Sequence, residues 1–148
     1  MEGFKRPGKK KLKPVVLTIS EVKRIATSAE NLKHRLMIEL AYTAGLRVSE
    51  LVAGKVRHLN LENLKVFVPG IGKLGARATI FSAGLKDALQ RQIGNKGPGD
   101  YLFPSERGGN LTTRSVTKFF KAALQTSGVD KEVTPHSLRQ SFTAFMLA

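Results

Sequence analysis

Hydrophobic spacing changes period twice along this chain, and that change restricts the fold more than any other feature. Val22, Ile25, Leu32, Leu36, Met37, Leu40 and Ala41 fall at the spacing of amphipathic helices. Between residues 59 and 81 the pattern becomes strand-like, with Leu59, Leu61, Leu64, Val66 and Val68, then Ala78-Thr79-Ile80-Phe81. From Leu111 the helical period returns, with Val116, Phe119, Phe120, Ala123 and Leu124 on one face. Short β-rich runs on either side of a Gly-rich turn, set between helical stretches, read as an antiparallel hairpin. The expected class is α+β, mainly α, with a small antiparallel three-stranded sheet.

Local signals set the expected boundaries. Thr18-Ile19-Ser20-Glu21 reads as a helix start, with Ser20 or Thr18 as N-cap and an acid in the first turn. The first two helices break near residues 29–32, and Gly45 stops the second. A short helix is expected from Val48 to about Ala53, before Gly54. The two β runs flank a Gly-rich turn and read as a hairpin, with a third strand near residues 57–60. Residues 84–93 read as helix and 94–100 as a loop; Leu111-Thr112 opens another helix. Thr134 and Pro135 fit the N-cap and first position of a last helix that runs to the end of the chain.

At 148 residues the chain is one domain's worth, and it needs no disulfide or metal staple to bury a core. It has no Cys, which excludes thiolate-bound zinc, iron–sulfur clusters and thiol chemistry and fits a reducing cytoplasm. No apolar run approaches the ~18 residues of a membrane span, and no signal-peptide core follows the basic start, so no membrane partner is expected. Charge is the strongest compositional signal. Lys and Arg total 25 against 11 Asp and Glu, a net +14, which points to a polyanionic partner and most often to nucleic acid. Residues 1–14 hold Lys5, Arg6, Lys9, Lys10, Lys11 and Lys13 and fit either a solvated tail or an arm lying along phosphates. Residues 15–148 then form the expected folded domain.

Three segments could carry chemistry. Gly70-Ile71-Gly72-Lys73-Leu74-Gly75 matches a dinucleotide-binding fingerprint by letter. That fingerprint must open a helix, however, and the β-branched and aromatic residues 78–81 follow instead. It also fails as a phosphate loop, since Leu74 stands where Ser or Thr is needed and Phe67 where the first Gly belongs. A hairpin turn bearing Lys73 at its tip is left. In His136-Ser137-Leu138-Arg139 the His and Arg share a helix face in the first turns, where free N–H groups and the helix dipole favour an anion. Spacing alone fits equally well a helix that merely starts with polar residues. In Thr43-Ala44-Gly45-Leu46-Arg47-Val48-Ser49-Glu50-Leu51, Arg47 sits on a corner between helices, where Glu50 could orient it. Alone, that segment reads as a surface Arg in a turn.

Together these segments resemble the tyrosine recombinase, or phage integrase, family. Residues 43–51 match the box around the family's first arginine, Gly72-Lys73 the hairpin lysine, and Pro135-His136-Ser137-Leu138-Arg139 the H-x-L-R block, followed by Ser141-Phe142 as in many members. Leu102-Phe103-Pro104 and Leu111-Thr112 also look alike, so the resemblance covers roughly residues 18–148.

The resemblance implies site-specific recombination or integration by breaking and rejoining double-stranded DNA through a 3′-phosphotyrosyl intermediate, with self-association of the full-length protein on DNA. It implies Arg47, Lys73, His136 and Arg139 as catalytic residues and no metal or other cofactor. Arg47 and Arg139 would hold the scissile phosphate, Lys73 would protonate the leaving 5′-oxygen, and His136 would assist proton transfer. Gln140 stands where most members carry His. The family's tyrosine nucleophile lies several turns beyond the H-x-L-R block, whereas Tyr42 and Tyr101 fall at packing positions. The domain is therefore expected to be incomplete at its C-terminus and inactive alone. His34 and His58 are expected on helix or surface faces rather than as metal ligands. The rival reading is a non-catalytic DNA-binding module derived from a recombinase.

Overall fold

In the computed structural model, residues 15–70 and 75–147 are described, with side chains through Thr143. Residues 1–14, expected as a solvated tail or as a basic arm or linker, and the segment 71–74 with Lys73 lie outside the described residues. Among the described residues the elements run α1 (Ile19–Ser28), α2 (Leu32–Ala44), α3 (Val48–Ala53), β1 (Leu59–Asn60), β2 (Lys65–Val68), β3 (Arg77–Ile80), α4 (Lys86–Ile93), α5 (Thr113–Ser127) and α6 (Pro135–Leu147). Single 3₁₀ turns at Val56–His58 and Ala83–Leu85 precede β1 and α4. The strands form a three-stranded antiparallel sheet in the order β1-β2-β3.

The helices begin where their caps dictate. Thr18 is the N-cap of α1: its hydroxyl accepts the Glu21 N–H at 3.1 Å, and the Glu21 carboxylate accepts the Thr18 N–H at 2.9 Å. Asn31 and Thr112 cap α2 and α5 in the same way, accepting the N–H groups of His34 and Ser115. At α6, Thr134 precedes Pro135 as expected, but the cap bond belongs to Ser137, whose hydroxyl accepts the Thr134 N–H at 3.0 Å. The end of α2 is a left-handed Gly45 (φ 64°), with the Leu46 N–H bonded to Ala41 O and the Gly45 N–H to Tyr42 O. That Schellman arrangement turns the chain sharply into α3.

Helix α2 lies at the centre and packs against α1, α3, α4, α6 and β3. It is therefore buried almost all round, through Leu36, Met37, Ile38, Leu40, Ala41, Tyr42 and Ala44. Ile25, Phe103, Phe120, Leu89 and Leu138 complete the core from the other elements. The buried Ser141 hydroxyl accepts the Leu17 N–H at 2.8 Å and donates to Ser137 O, tying the start of the fold to α6.

The sheet departs from simple polarity alternation. Val66 and Val68 face inward, and in register opposite them stand Thr79 and Arg77, whereas Ile80 on the outer face is 60% exposed. The polar pair faces inward because the C-terminus of α2 needs donors there. The Thr79 hydroxyl donates to Ala44 O at 2.8 Å, and Arg77 approaches Gly45 O.

Candidate active site

Four elements meet at the corner between α2 and α3. Arg47 occupies the N-cap position of α3, and Glu50 in its first turn reaches back to accept the Arg47 backbone N–H at 2.9 Å. Arg139, in the second turn of α6, donates from Nη1 to Gly45 O at 2.8 Å. This close approach of α6 depends on glycine, since a Cβ at residue 45 would overlap the Phe142 ring. Arg77 enters from the first residue of β3. The carbonyl end of α2 carries the negative pole of its dipole, which favours cations at this point.

Glu50 is the hub. Its side chain is only 8% exposed, and it bonds Arg77 through both oxygens, at 2.7 Å and 2.9 Å, and Arg47 Nη1 at 3.2 Å. Arg139 Nη1 lies 3.9 Å from the same carboxylate. Burial opposes ionisation of Glu50, but the Arg77 hydrogen bonds, the Arg47 backbone bond and the charges of both guanidiniums outweigh it and bring the carboxyl down to about 2. Burial, and then the charges of Arg47 and Arg77, push the Arg139 guanidinium below its usual range, while Glu50 pulls it back.

Three guanidiniums thus surround one carboxylate, and the site is left with surplus positive charge. Arg47 is 41% exposed and Arg139 25%, so both keep N–H groups toward solvent. Two such forks side by side suit an oxyanion with several acceptor oxygens, such as a phosphodiester.

Of the residues expected at a common site, Arg47 and Arg139 are brought together across 94 residues of Gly45-to-Arg139 chain. His136 is exposed in the first turn of α6, one turn before Arg139, and no described residue hydrogen-bonds to its imidazole. Lys73 lies outside the described residues, although the β2–β3 ladder that flanks it pairs as a hairpin should. Tyr42 is buried on α2, and Tyr101 pairs with Lys55 and lies beneath its ammonium group. His34 stacks on Phe119 at 3.8 Å, and His58 Nδ1 accepts the Lys55 N–H. Sequence reasoning missed Arg77. The only signal was a charged residue at the head of a strand, and its inward orientation follows from the register with Val68.

The sequence matches the phage integrase family over residues 15–148. The chain belongs to the phage integrase family. It is 32% identical to the tyrosine recombinase XerD of Listeria innocua over 148 residues, covering 90% of this chain and 49% of that protein. To the tyrosine recombinase XerA of Pyrococcus horikoshii it is 37% identical over 151 residues, covering 99% of this chain and 52% of the relative. Among solved structures, a XerA recombinase superposes with a TM-score of 0.77 at 26% identity, covering 92% of this chain and 52% of that one. Lambda integrase (75–356), a dimer bound to a COC′ core site, superposes with a TM-score of 0.73 at 25% identity, covering 94% and 54%. The chain thus spans about half the length of the relatives it matches. The mostly helical fold with a small antiparallel sheet is that of the tyrosine recombinase catalytic domain. No described helix is long and apolar enough to cross a membrane.

Proposed function

We propose that residues 15–148 are the phosphate-holding part of a catalytic domain that breaks and rejoins double-stranded DNA in site-specific recombination, with residues 1–14 as a basic arm. The observation that carries this reading is the meeting of Arg47 and Arg139 around the part-buried Glu50. Their exposed N–H groups would hold the two non-bridging oxygens of the scissile phosphate and stabilise the charge that builds up there during attack. A tyrosine hydroxyl would attack the phosphorus, form a 3′-phosphotyrosyl bond and release the 5′-oxygen. Lys73 would protonate that leaving oxygen and His136 would assist. Attack by the freed 5′-hydroxyl of a second strand reverses the step, so the bond energy is conserved.

The attacking tyrosine is proposed to come from outside residues 1–148, because Tyr42 is buried and Tyr101 is held against Lys55. The same reading places the protein in the cytoplasm, self-associating on DNA as the lambda integrase dimer does on its core site.

Covalent trapping on a labelled, nicked duplex tests the proposal, read on a denaturing gel. Residues 1–148 alone should give no labelled adduct. A version extended through the coding sequence downstream of Ala148 should give one, and Arg139→Ala in that version should abolish it. An adduct from the short chain would move the nucleophile to Tyr42 or Tyr101. No adduct from the extended chain, with DNA binding intact, would favour a recombinase-derived binding module.

A further inference from the structure

Arg77 has no part in the chemistry described above, yet it makes the two shortest side-chain bonds to Glu50. A carboxylate offers two oxygens to its partners. Arg77 takes both, in the fork-to-fork geometry that fixes a guanidinium and a carboxylate relative to one another. It also lies 3.5 Å from Gly45 O, the carbonyl that anchors Arg139. Arg77 therefore braces β3 against both the start of α3 and the end of α2.

The consequence lies with the other two arginines. With both Glu50 oxygens engaged, Arg47 gains one side-chain bond at 3.2 Å, and Arg139 stands off at 3.9 Å. Without Arg77, the part-buried carboxylate would be left with Arg47 and Arg139 as its nearest cations. Such a carboxylate takes the strongest pairing within reach, because an underpaired charge in this setting is costly. Both guanidiniums would then turn toward Glu50 and away from solvent.

We propose that Arg77 is a positioning residue for the phosphate site: its two-pronged hold on Glu50 limits that carboxylate to a single guanidinium bond from Arg47 and holds it off Arg139, which leaves the remaining N–H groups of both free for a phosphodiester. The inference rests on the proposed phosphate-holding role of those two arginines. Because Arg77 is the ladder residue nearest the β2–β3 connection, paired with Val68, the same contact fixes the base of the hairpin against the site.

The test is titration with inorganic phosphate, followed through the side-chain Nε–Hε NMR signals of Arg47 and Arg139. In the wild-type background Arg77→Ala should weaken phosphate affinity at those two signals about tenfold. In a Glu50→Gln background the same substitution should change it less than about twofold, because the group through which Arg77 acts is no longer charged. Arg77→Lys, which keeps the charge but loses the fork, should fall between wild type and Arg77→Ala and guards against loss of the fold. An equal loss in both backgrounds would make Arg77 a direct phosphate ligand and overturn the proposal. No loss in the wild-type background would overturn it too, leaving the Arg47–Arg139 site intact. No phosphate response in the wild-type protein would remove the site reading itself, and this inference with it.

Discussion

The carboxyl of Glu50 shows how one residue links the site to the stability of the fold. Its pKa falls from 4.5 to about 2 in the folded chain. A depressed carboxyl adds stability that is present above its unfolded value and is lost as pH drops through the folded one, here between about 4.5 and 2. A shift of this size on a side chain only 8% exposed corresponds to about 3 kcal/mol. Urea unfolding followed from pH 7 down to pH 2 should show a loss of that order, and Glu50→Gln should lack it. At neutral pH Glu50→Gln should also be less stable than wild type by about 2–4 kcal/mol, since three arginines lose their shared counter-charge. An unaltered acid slope in Glu50→Gln would show that other carboxylates carry the effect. Arg47 and Arg139 could be read from the sequence as candidate site residues because each lies in a contiguous motif. Arg77 was not, because only pairing with Val68 on another strand turns it inward.

Among the elements, the junction of α2 with α6 sets the site's geometry, and it depends on residue 45 having no side chain. Gly45→Ala would combine a left-handed backbone, which costs about 1–2 kcal/mol, with overlap on the Phe142 ring. The expected destabilisation is about 2–4 kcal/mol in urea unfolding. Phe142→Ala should relieve the overlap, so the double variant should be more stable than the sum of the two single changes by about 1–2 kcal/mol. Additive losses would show that α6 does not rest on Gly45. A separate tie is the Ser141 hydroxyl; Ser141→Ala strands the Leu17 N–H and should cost about 1–3 kcal/mol. Helix limits were readable because their causes are local: Thr18 with Glu21, the left-handed Gly45, Pro135 at a first turn. The inner face of the sheet was not. Thr79 and Arg77 point inward to satisfy carbonyls of α2, a demand that arises only once the helix is docked, and Ile80 is displaced outward as a result.

Over the whole molecule, charge decides how the chain meets a partner. The net +14 exceeds anything the site needs, since Glu50 already offsets part of the charge of its three arginines. The surplus should act as a sequence-independent hold on duplex DNA, with a dissociation constant around the micromolar range at moderate salt. Each phosphate contact releases condensed counterions, so log K should fall linearly with log salt, by about 0.9 for every phosphate neutralised. Site variants and arm variants should then separate. Arg139→Ala removes one cation and should lower the slope by no more than about one unit. Deleting residues 1–13 removes Lys5, Arg6, Lys9, Lys10, Lys11 and Lys13. If all of them lie on phosphates, the slope should drop by up to about 5 units, with little change in which DNA is preferred. Fluorescence anisotropy of a labelled duplex between low and physiological salt measures both. An unchanged slope after the deletion would make residues 1–13 a tail with no phosphate contact, and a flat salt dependence of the intact chain would remove nucleic acid as its partner altogether.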